Sequence, residues 1–258
     1  MIICSWNINS IRIRIHLIER LIQELKPDVI KLQEIKCLEN EFPDFYKKLG
    51  YNVIINGEKG KYGVAILIKK NIKFEPLIFD SKIMKDQARI CGVMLKQNNL
   101  ALINIYTPNG NPVTDDIKFN YKIEWMNNLL SISKNYVNKY KNLIIGGDFN
   151  VIEHEDDVLE FDKWKNDALG HFQVRSKFRE FLTNGFTNVS RLFYPPGSNF
   201  SFWDYQRSAW ERNDGLLIDH FLVTPSVIQK IKSINFLNTF RGLSKPSDHI
   251  PFWIEFDG

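Results

Sequence analysis

The apolar run Leu143-Ile144-Ile145-Gly146-Gly147 ends in Asp148-Phe149-Asn150. Residues two apart on a strand face the same side, so a carboxylate and a carboxamide leave this strand end together. The carboxylate can hold a metal ion or take a proton, and the carboxamide can donate to an anionic oxygen. The same design recurs along the chain. Asn7 follows the run Ile2–Trp6, Gln33-Glu34 follows Val29–Leu32, and Tyr106 ends the run from Leu100. Asp219 opens Asp219–Val223, and Ser247-Asp248-His249 precedes Phe252–Phe256. Singly, each has an ordinary structural reading: Asn7 as a turn cap, Glu34 as a partner of Lys36, Tyr106 as a half-buried aromatic, His249 as a satisfied histidine. For all of them together that reading requires a coincidence. Sites in layered folds gather on loops beyond strand ends, so a shared rim is the economical expectation.

Chemically the set is hard and oxygen-rich, with one imidazole. Glu34, Asp148 and Asp248 with the amides of Asn7 and Asn150 suit Mg²⁺ or Mn²⁺, which prefer oxygen ligands. Without a cysteine ligand, and with only His249 nearby, the set does not fit structural zinc. Asp219 can orient His249 and raise its pKa, stabilising an imidazolium against a phosphate. Tyr106 can place a phenol on a phosphate oxygen. Together these parts describe metal-assisted attack of water on a phosphodiester.

Short apolar runs alternating with helical periodicity must position these groups. Ile11, Ile15, Ile18, Ile22 and Leu25 predict a helix after Ser10 that stops before Pro27. Ile117, Tyr121, Trp125, Leu129, Ile132 and Tyr136 predict a longer one, and a third is expected over Arg175 to Leu182. Further strands are expected at Tyr51–Ile55, Val64–Ile68, Ile90–Leu95 and Phe200–Trp203. Val64–Ile68 is apolar throughout, which implies burial on both faces. With no repeat and no low-complexity linker, residues 1–258 read as one layered α/β domain. A net charge of +4 is too mild to argue for a polyanionic partner. Cys4, Cys37 and Cys91 are widely spaced and read as buried, reduced thiols. No stretch approaches the roughly 20 apolar residues of a membrane span; a cytoplasmic protein without a membrane partner is expected.

At these residues the chain resembles the exonuclease III family of DNA-repair nucleases, abasic-site endonucleases of the endonuclease/exonuclease/phosphatase superfamily that also contains DNase I. The resemblance runs essentially end to end. It rests on Trp6-Asn7-Ile8-Asn9-Ser10, Asp28 to Lys36, Lys61 to Ile66, Tyr106 with Pro108 to Val113, Gly147 to Asn150, Trp203-Asp204-Tyr205, Ile218-Asp219-His220 and Lys245 to His249. It implies a DNase I-like four-layer α/β sandwich, two central mixed β-sheets flanked by helices. It also implies a Mg²⁺-dependent monomer, with Mn²⁺ as a substitute. Its partner would be double-stranded DNA with abasic sites or 3′ ends, incised 5′ to the abasic site or trimmed of nucleotides and blocking groups at the 3′ end.

By the resemblance, Glu34 is a principal metal ligand, with Asn7, Asp148, Asn150 and Asp248 nearby. Asp148 positions or deprotonates water, Asn150 holds a phosphate oxygen, Tyr106 contacts the scissile phosphate, and His249 oriented by Asp219 stabilises developing charge. Either Asp148 or His249 can serve as base. Phe202 and Trp203 resemble the family's aromatic wall against the flipped deoxyribose, Leu216 lines that pocket, and Arg89 approaches the DNA backbone. Leu217 and Asp214 stand where arginine is usual or frequent, which implies weaker DNA contacts there. The acidic run Glu153 to Asp157 reads as a solvated loop, not a second metal site. Two other readings keep parts of this rim: a phosphatase for inositol phosphates or phospholipid head groups, and an inactive DNA-binding module.

Overall fold

The computed structural model describes residues 1–257. In chain order its strands are β1 (Ile2–Asn7), β2 (Val29–Gln33), β3 (Tyr51–Asn56), β4 (Val64–Lys69), β5 (Phe74–Pro76) and β6 (Ile90–Leu95). They continue with β7 (Leu100–Tyr106), β8 (Asn142–Asp148), β9 (Thr187–Asn188), β10 (Asp219–Val223), β11 (Ile231–Phe236) and β12 (Phe252–Phe256). Two six-stranded sheets result, ordered β11-β12-β1-β2-β4-β3 and β5-β6-β7-β8-β10-β9. Each is mixed, with the parallel pairs β1/β2 and β7/β8 beside antiparallel neighbours.

Strand alternation explains why there are four layers. Ile3, Val29, Ile66, Leu102, Ile144, Phe221 and Ile254 meet between the sheets. Their chain neighbours Cys4, Ile30 and Leu67 face outward, against a cluster that includes Leu17, Ile18 and Leu21 of the helix Ile15–Leu25. On the other side, Ala101, Ile103 and Ile145 pack with Trp125 and Leu129 of the helix Asp116–Lys139 and with Phe178 of the helix Phe172–Thr183. Strands apolar on both faces are thus covered on both, as expected for the sandwich.

Local departures from the sequence expectation have physical reasons. The first helix begins only at Ile15, because Asn9 and Ser10 take positive φ (45° and 84°) while the chain turns past the strand end. Ile117, expected on the apolar stripe, is 84% exposed in the helix's opening turn. Phe200–Trp203 is not a regular strand: the N–H groups of Ser201 and Phe202 both donate to the Leu216 carbonyl (2.8 and 3.0 Å), which breaks the alternation. Phe202 keeps only isolated bridges, to Leu216 and His249. The short strands β5 and β9, and the mixed edge strand β11, were not legible as apolar runs. The three cysteines are free and buried, as expected.

One polar layer crosses the core. Gln33 donates to Asn104 (2.6 Å) and Ser5 (3.1 Å), and Asn104 donates to the carbonyls of Leu32 and Ala65 (2.9 Å each). Beside it lies the fully buried Lys31, whose Nζ sits 4.6 Å from the Phe221 ring centroid and 3.4 Å from the Ile103 carbonyl. Burial holds this amine well below its usual range, with Cys91 and Cys4 opposing only weakly. The unfolded chain keeps the proton up to about pH 10, so stability rises with pH between the depressed native value and that limit. Lys31→Met should therefore raise neutral-pH stability by roughly 1–3 kcal/mol and flatten this slope. Urea midpoints at pH 7 and pH 10 check it, and a less stable variant at pH 7 contradicts it.

Candidate active site

Pairing register brings the polar strand ends together. Tyr106 pairs with Asp148 across β7/β8, Asp148 with Asp219 across β8/β10, and Asn7 with Gln33 across β1/β2. Gly147 makes the β8 exit possible: at φ 148° its α-carbon lies against the Ile105 carbonyl, where a Cβ would collide. Glu34 and Asn150, each just past a strand, take left-handed φ of 51° and 50°. Such conformations disfavour side-chain-bearing residues and collect at functional sites.

The side chains form one contiguous cluster spanning both sheets, two hydrogen-bonded groups that face each other as a charge pair across Asp148 and His249. Asn7 Nδ2 donates to Glu34 Oε1 (2.9 Å) and Asp148 Oδ2 (3.0 Å). Asp148 Oδ2 lies 3.7 Å from His249 Nε2, and His249 Nδ1 lies 2.7 Å from Asp219 Oδ2. Ser201 Oγ donates to the same Asp219 oxygen at 2.6 Å. Asn150 N donates to Asp148 Oδ1 (2.8 Å), and Asn150 Nδ2 donates to the Thr107 carbonyl (2.9 Å). Glu34, Asn7, Asp148, Asn150, His249 and Asp219, widely separated in sequence, thus share one site. Asp248 stands beside it, its Oδ1 accepting from Asn9 Nδ2 at 3.0 Å.

Burial and charge set the protonation states. Burial opposes the Glu34 charge, but Lys36 (Nζ to Oε2, 2.9 Å) and Asn7 outweigh it and hold this carboxyl below its usual range. Asp148 goes the other way: desolvation raises it, the His249 cation counteracts, and the nearby Asp219 charge adds to the rise. For His249 desolvation alone would lower the ring, yet Asp219 and Asp148 reverse this and keep it an imidazolium at neutral pH. Tyr106 remains a phenol, raised by burial and by the Glu34 and Asp148 carboxylates.

Asp148, Asp219 and His249 offer ligand atoms within 4.8 Å of one another, an acidic and histidine cluster able to hold a metal. A protonated imidazole has no lone pair to donate, however, and Asp219 already occupies its other nitrogen. Glu34 and Asp148, two carboxylates joined by one amide, are the better seat for a hard cation. Asn7 turns its N–H groups to both of them while its Oδ1 accepts from Asn9 N (3.1 Å), so it orients the pair.

The residues expected on the DNA-facing loops divide. Phe202 meets the His249 ring edge-on at 5.0 Å between centroids. With Leu216, Trp164, Arg207 and Arg212 it lines a cavity of about 330 Å³. Trp203 is only 2% exposed and packs edge-on against Trp210 at 4.9 Å, so it backs the wall from behind. Arg89 is buried, its Cζ 3.8 and 4.6 Å from the ring centroids of Tyr62 and Tyr106 and its Nη1 donating to the Tyr106 carbonyl (3.2 Å). It braces Tyr106 and, with Tyr62, Tyr106 and Asn109, lines a cavity of about 410 Å³ beside the site. Leu217 is also buried, which removes it from the surface, and Asp214 is ion-paired with Arg212 at 3.0 Å. The acidic run is solvated in its middle, at His154, Glu155 and Asp156, but its ends are tied down: Asp157 is fully buried and ion-paired with Arg191, which also binds Glu153 at 2.8 Å.

Sequence reasoning missed Ser201 and Arg14. The Arg14 guanidinium donates to the carbonyls of Ile8 (3.3 Å), Lys245 (3.1 Å) and Pro246 (2.8 Å) and to the Tyr205 hydroxyl (2.9 Å). It ties the loop after Asn7 to the loop before Asp248 and His249. Its lone signal was a basic residue close to a helix start, which many solvated arginines share.

Comparison with known proteins agrees with this geometry. The model of the Endonuclease/Exonuclease/phosphatase family matches residues 4–249. Exodeoxyribonuclease III of Haemophilus influenzae is 32% identical over 262 residues, covering 98% of each chain. An AP endonuclease from Archaeoglobus fulgidus superposes with a TM-score of 0.90 at 31% identity, with both chains covered completely. The 3′ phosphatase NExo from Neisseria, bound to a product DNA hairpin, superposes with a TM-score of 0.91 at 28% identity, again over the whole of both chains.

Proposed function

The chain belongs to the Endonuclease/Exonuclease/phosphatase family, and on that premise we propose that it is a metal-dependent DNA-repair phosphodiesterase. It incises duplex DNA 5′ to abasic sites and removes nucleotides or blocking groups from 3′ ends. The observation that carries this reading is the contiguous cluster Glu34–Asn7–Asp148–His249–Asp219, which sets an ionised carboxylate, a buried carboxyl of raised pKa and an imidazolium side by side. Its likeness to an exodeoxyribonuclease III, an AP endonuclease and a 3′ phosphatase supports DNA as the substrate.

Glu34 and Asp148, oriented by Asn7, would hold Mg²⁺, with Mn²⁺ as substitute and with Asn150 and Asp248 at the edge of the donor set. Bound there, the ion supplies Lewis-acid charge and a more acidic water. Asp148 accepts the proton of the attacking water, because burial keeps its basicity higher than that of an ordinary carboxylate. His249 faces the developing negative charge as a fixed cation, and Asp219 holds the ring in place through Nδ1. Tyr106, braced by Arg89, presents a neutral O–H donor to the phosphate. Asn150 fixes Asp148 through its backbone N–H and is the expected donor to a phosphate oxygen.

Phe202 closes the cavity beside His249, so its ring is the wall for a flipped sugar, and extrusion is least costly where the base is already missing. Phe202→Ala should slow abasic-site incision roughly threefold to tenfold, the worth of a lost aromatic contact, while sparing exonuclease action. Equal losses in both assays would exclude a pocket role. The function itself is tested by incubating an abasic-site duplex, a 3′-phosphate duplex and a blunt duplex with Mg²⁺ and then with EDTA, beside phosphate release from inositol phosphates. Cleavage of DNA that EDTA abolishes is expected; release from inositol phosphates alone would transfer the site to the other substrate class.

A further inference from the structure

Lys122 takes no part in the chemistry above, yet it lies fully buried on the inner face of the helix Asp116–Lys139. Its Nζ donates to the backbone carbonyls of Asn109 (3.0 Å), Asn150 (2.6 Å) and Ala168 (3.1 Å). An ammonium has three donors, and here each finds a carbonyl from a different loop. Burial pushes this amine down to about 7, with the Asp148 and Asp167 carboxylates opposing, and the three carbonyls satisfy the proton it keeps.

The three loops are those that shape the site. Asn109 lies on the segment that follows Tyr106. Asn150 ends the turn that carries Asp148. Ala168 belongs to the segment leading to the helix Phe172–Thr183. Gly110 shows how closely the first loop wraps the lysine: at φ 84°, a Cβ there would stand 2.7 Å from Lys122 Cδ. The first and third loops are also fastened to each other. Asn111 Nδ2 donates to both Asp167 oxygens (3.0 Å each), and Ala168 N donates to Asn111 Oδ1 (2.9 Å). Lys122 fixes this joined unit to Asn150, whose left-handed backbone must be held from outside and whose N–H carries Asp148 Oδ1.

We propose that Lys122 is a positioning residue for Asp148 and Asn150, its ammonium setting their turn by gathering the Asn109, Asn150 and Ala168 carbonyls. The inference rests on the phosphodiesterase reading, because its effect is read through the turnover of that site. Without the ammonium the Asn150 carbonyl is released, the turn relaxes, and the Asp148 carboxylate drifts from its place between Asn7 and His249. The substrate contact at Phe202 lies on another element and remains, and Tyr106 stays paired with Asp148 within β7/β8. A displacement of about 1 Å in a catalytic group lowers turnover about 100-fold.

The test is Lys122→Met, of similar length but without donors, with kcat and KM measured separately on whichever duplex the parent protein cleaves fastest. The expected result is a variant with the parent's near-UV circular dichroism, KM within about threefold and kcat lower by about 100-fold. Lys122→Arg, which keeps donors in place, should recover part of the lost kcat. A folded Met variant with the parent's kcat overturns the proposal, and so does a loss confined to KM. Should the Met variant not fold, Lys122→Gln takes its place under the same criteria. Failure of both to fold would make Lys122 a requirement of the fold itself and equally overturn a positioning role. A parent inactive on every duplex would instead count against the phosphodiesterase reading, which keeps the two failures apart.

Discussion

Asp148→Asn should yield a folded protein whose metal-dependent cleavage is slower by about 1,000-fold or more, the upper range for a lost general base. The side chain is almost wholly buried and its substitution is isosteric, so packing changes little. What changes is the hydrogen-bond polarity. Asn150 N still finds an acceptor in the new carboxamide oxygen, but the amide nitrogen now faces the Asn7 Nδ2 that donated to Asp148 Oδ2. Two donors meet, and the proton acceptor is gone. The pH profile gives a second readout. In the metal-free protein burial raises the Asp148 carboxyl above the ordinary aspartate range; protonating it removes the proton acceptor, so the parent's rate falls on acidification. The variant has no such group and loses that acid limb. Single-turnover cleavage of the duplex across pH checks both points, and turnover near the parent's would remove Asp148 from the mechanism.

His249→Gln is expected to lower kcat by roughly 100- to 1,000-fold, comparable to removing a preorganised donor facing developing charge. Glutamine can still bond Asp219, which avoids stranding that buried carboxylate, but it carries no charge. Desolvation works against the parent's ring proton, and Asp219 and then Asp148 overcome it, so the folded value is raised. A raised histidine contributes stability that is fully present below its ordinary pKa of about 6.5 and is lost as pH rises through the folded value. The parent should therefore exceed the glutamine variant in stability most at neutral and acid pH, with the gap closing in alkali. Its rate should fall on the same alkaline side, and the variant should lack that limb. Because the imidazole and Asp148 interact, the two limbs of the parent's profile belong to the pair. A variant keeping more than a tenth of the parent's kcat would contradict the cationic role.

Strand interiors apolar on both faces implied sheets covered on both sides, by helices or by a second sheet, and the resemblance to a known family supplied the four-layer sandwich. Polar residues immediately past strands β1, β2, β7 and β8, and at the start of β10, could be read as one rim because strand ends in such folds lie together. Residues whose function depends on what lies behind them could not be read in this way. Arg89 in sequence is an arginine near a strand; only folding wedges it between Tyr62 and Tyr106, where it braces the phenol. Trp203 and Leu217 have the composition of a wall and a surface, yet packing buries both. The fixed ends of the acidic run, Glu153 and Asp157, were not legible because Arg191, their partner, is more than thirty residues away.

The amino-acid sequence by itself determined the α/β layering, the oxygen-rich chemistry and the identities of Glu34, Asp148, Asn150, Asp219 and His249, because period and residue type are local properties. Tertiary structure alone decided their hydrogen-bond order, the protonation of His249 and the burial of Lys31, Arg14 and Lys122. Those depend on dielectric and on partners up to 240 residues distant, such as the Asn7 carbonyl that accepts from Ser247 Oγ at 2.7 Å. A side chain's type travels with the chain, but its electrostatic surroundings exist only once the two sheets have closed.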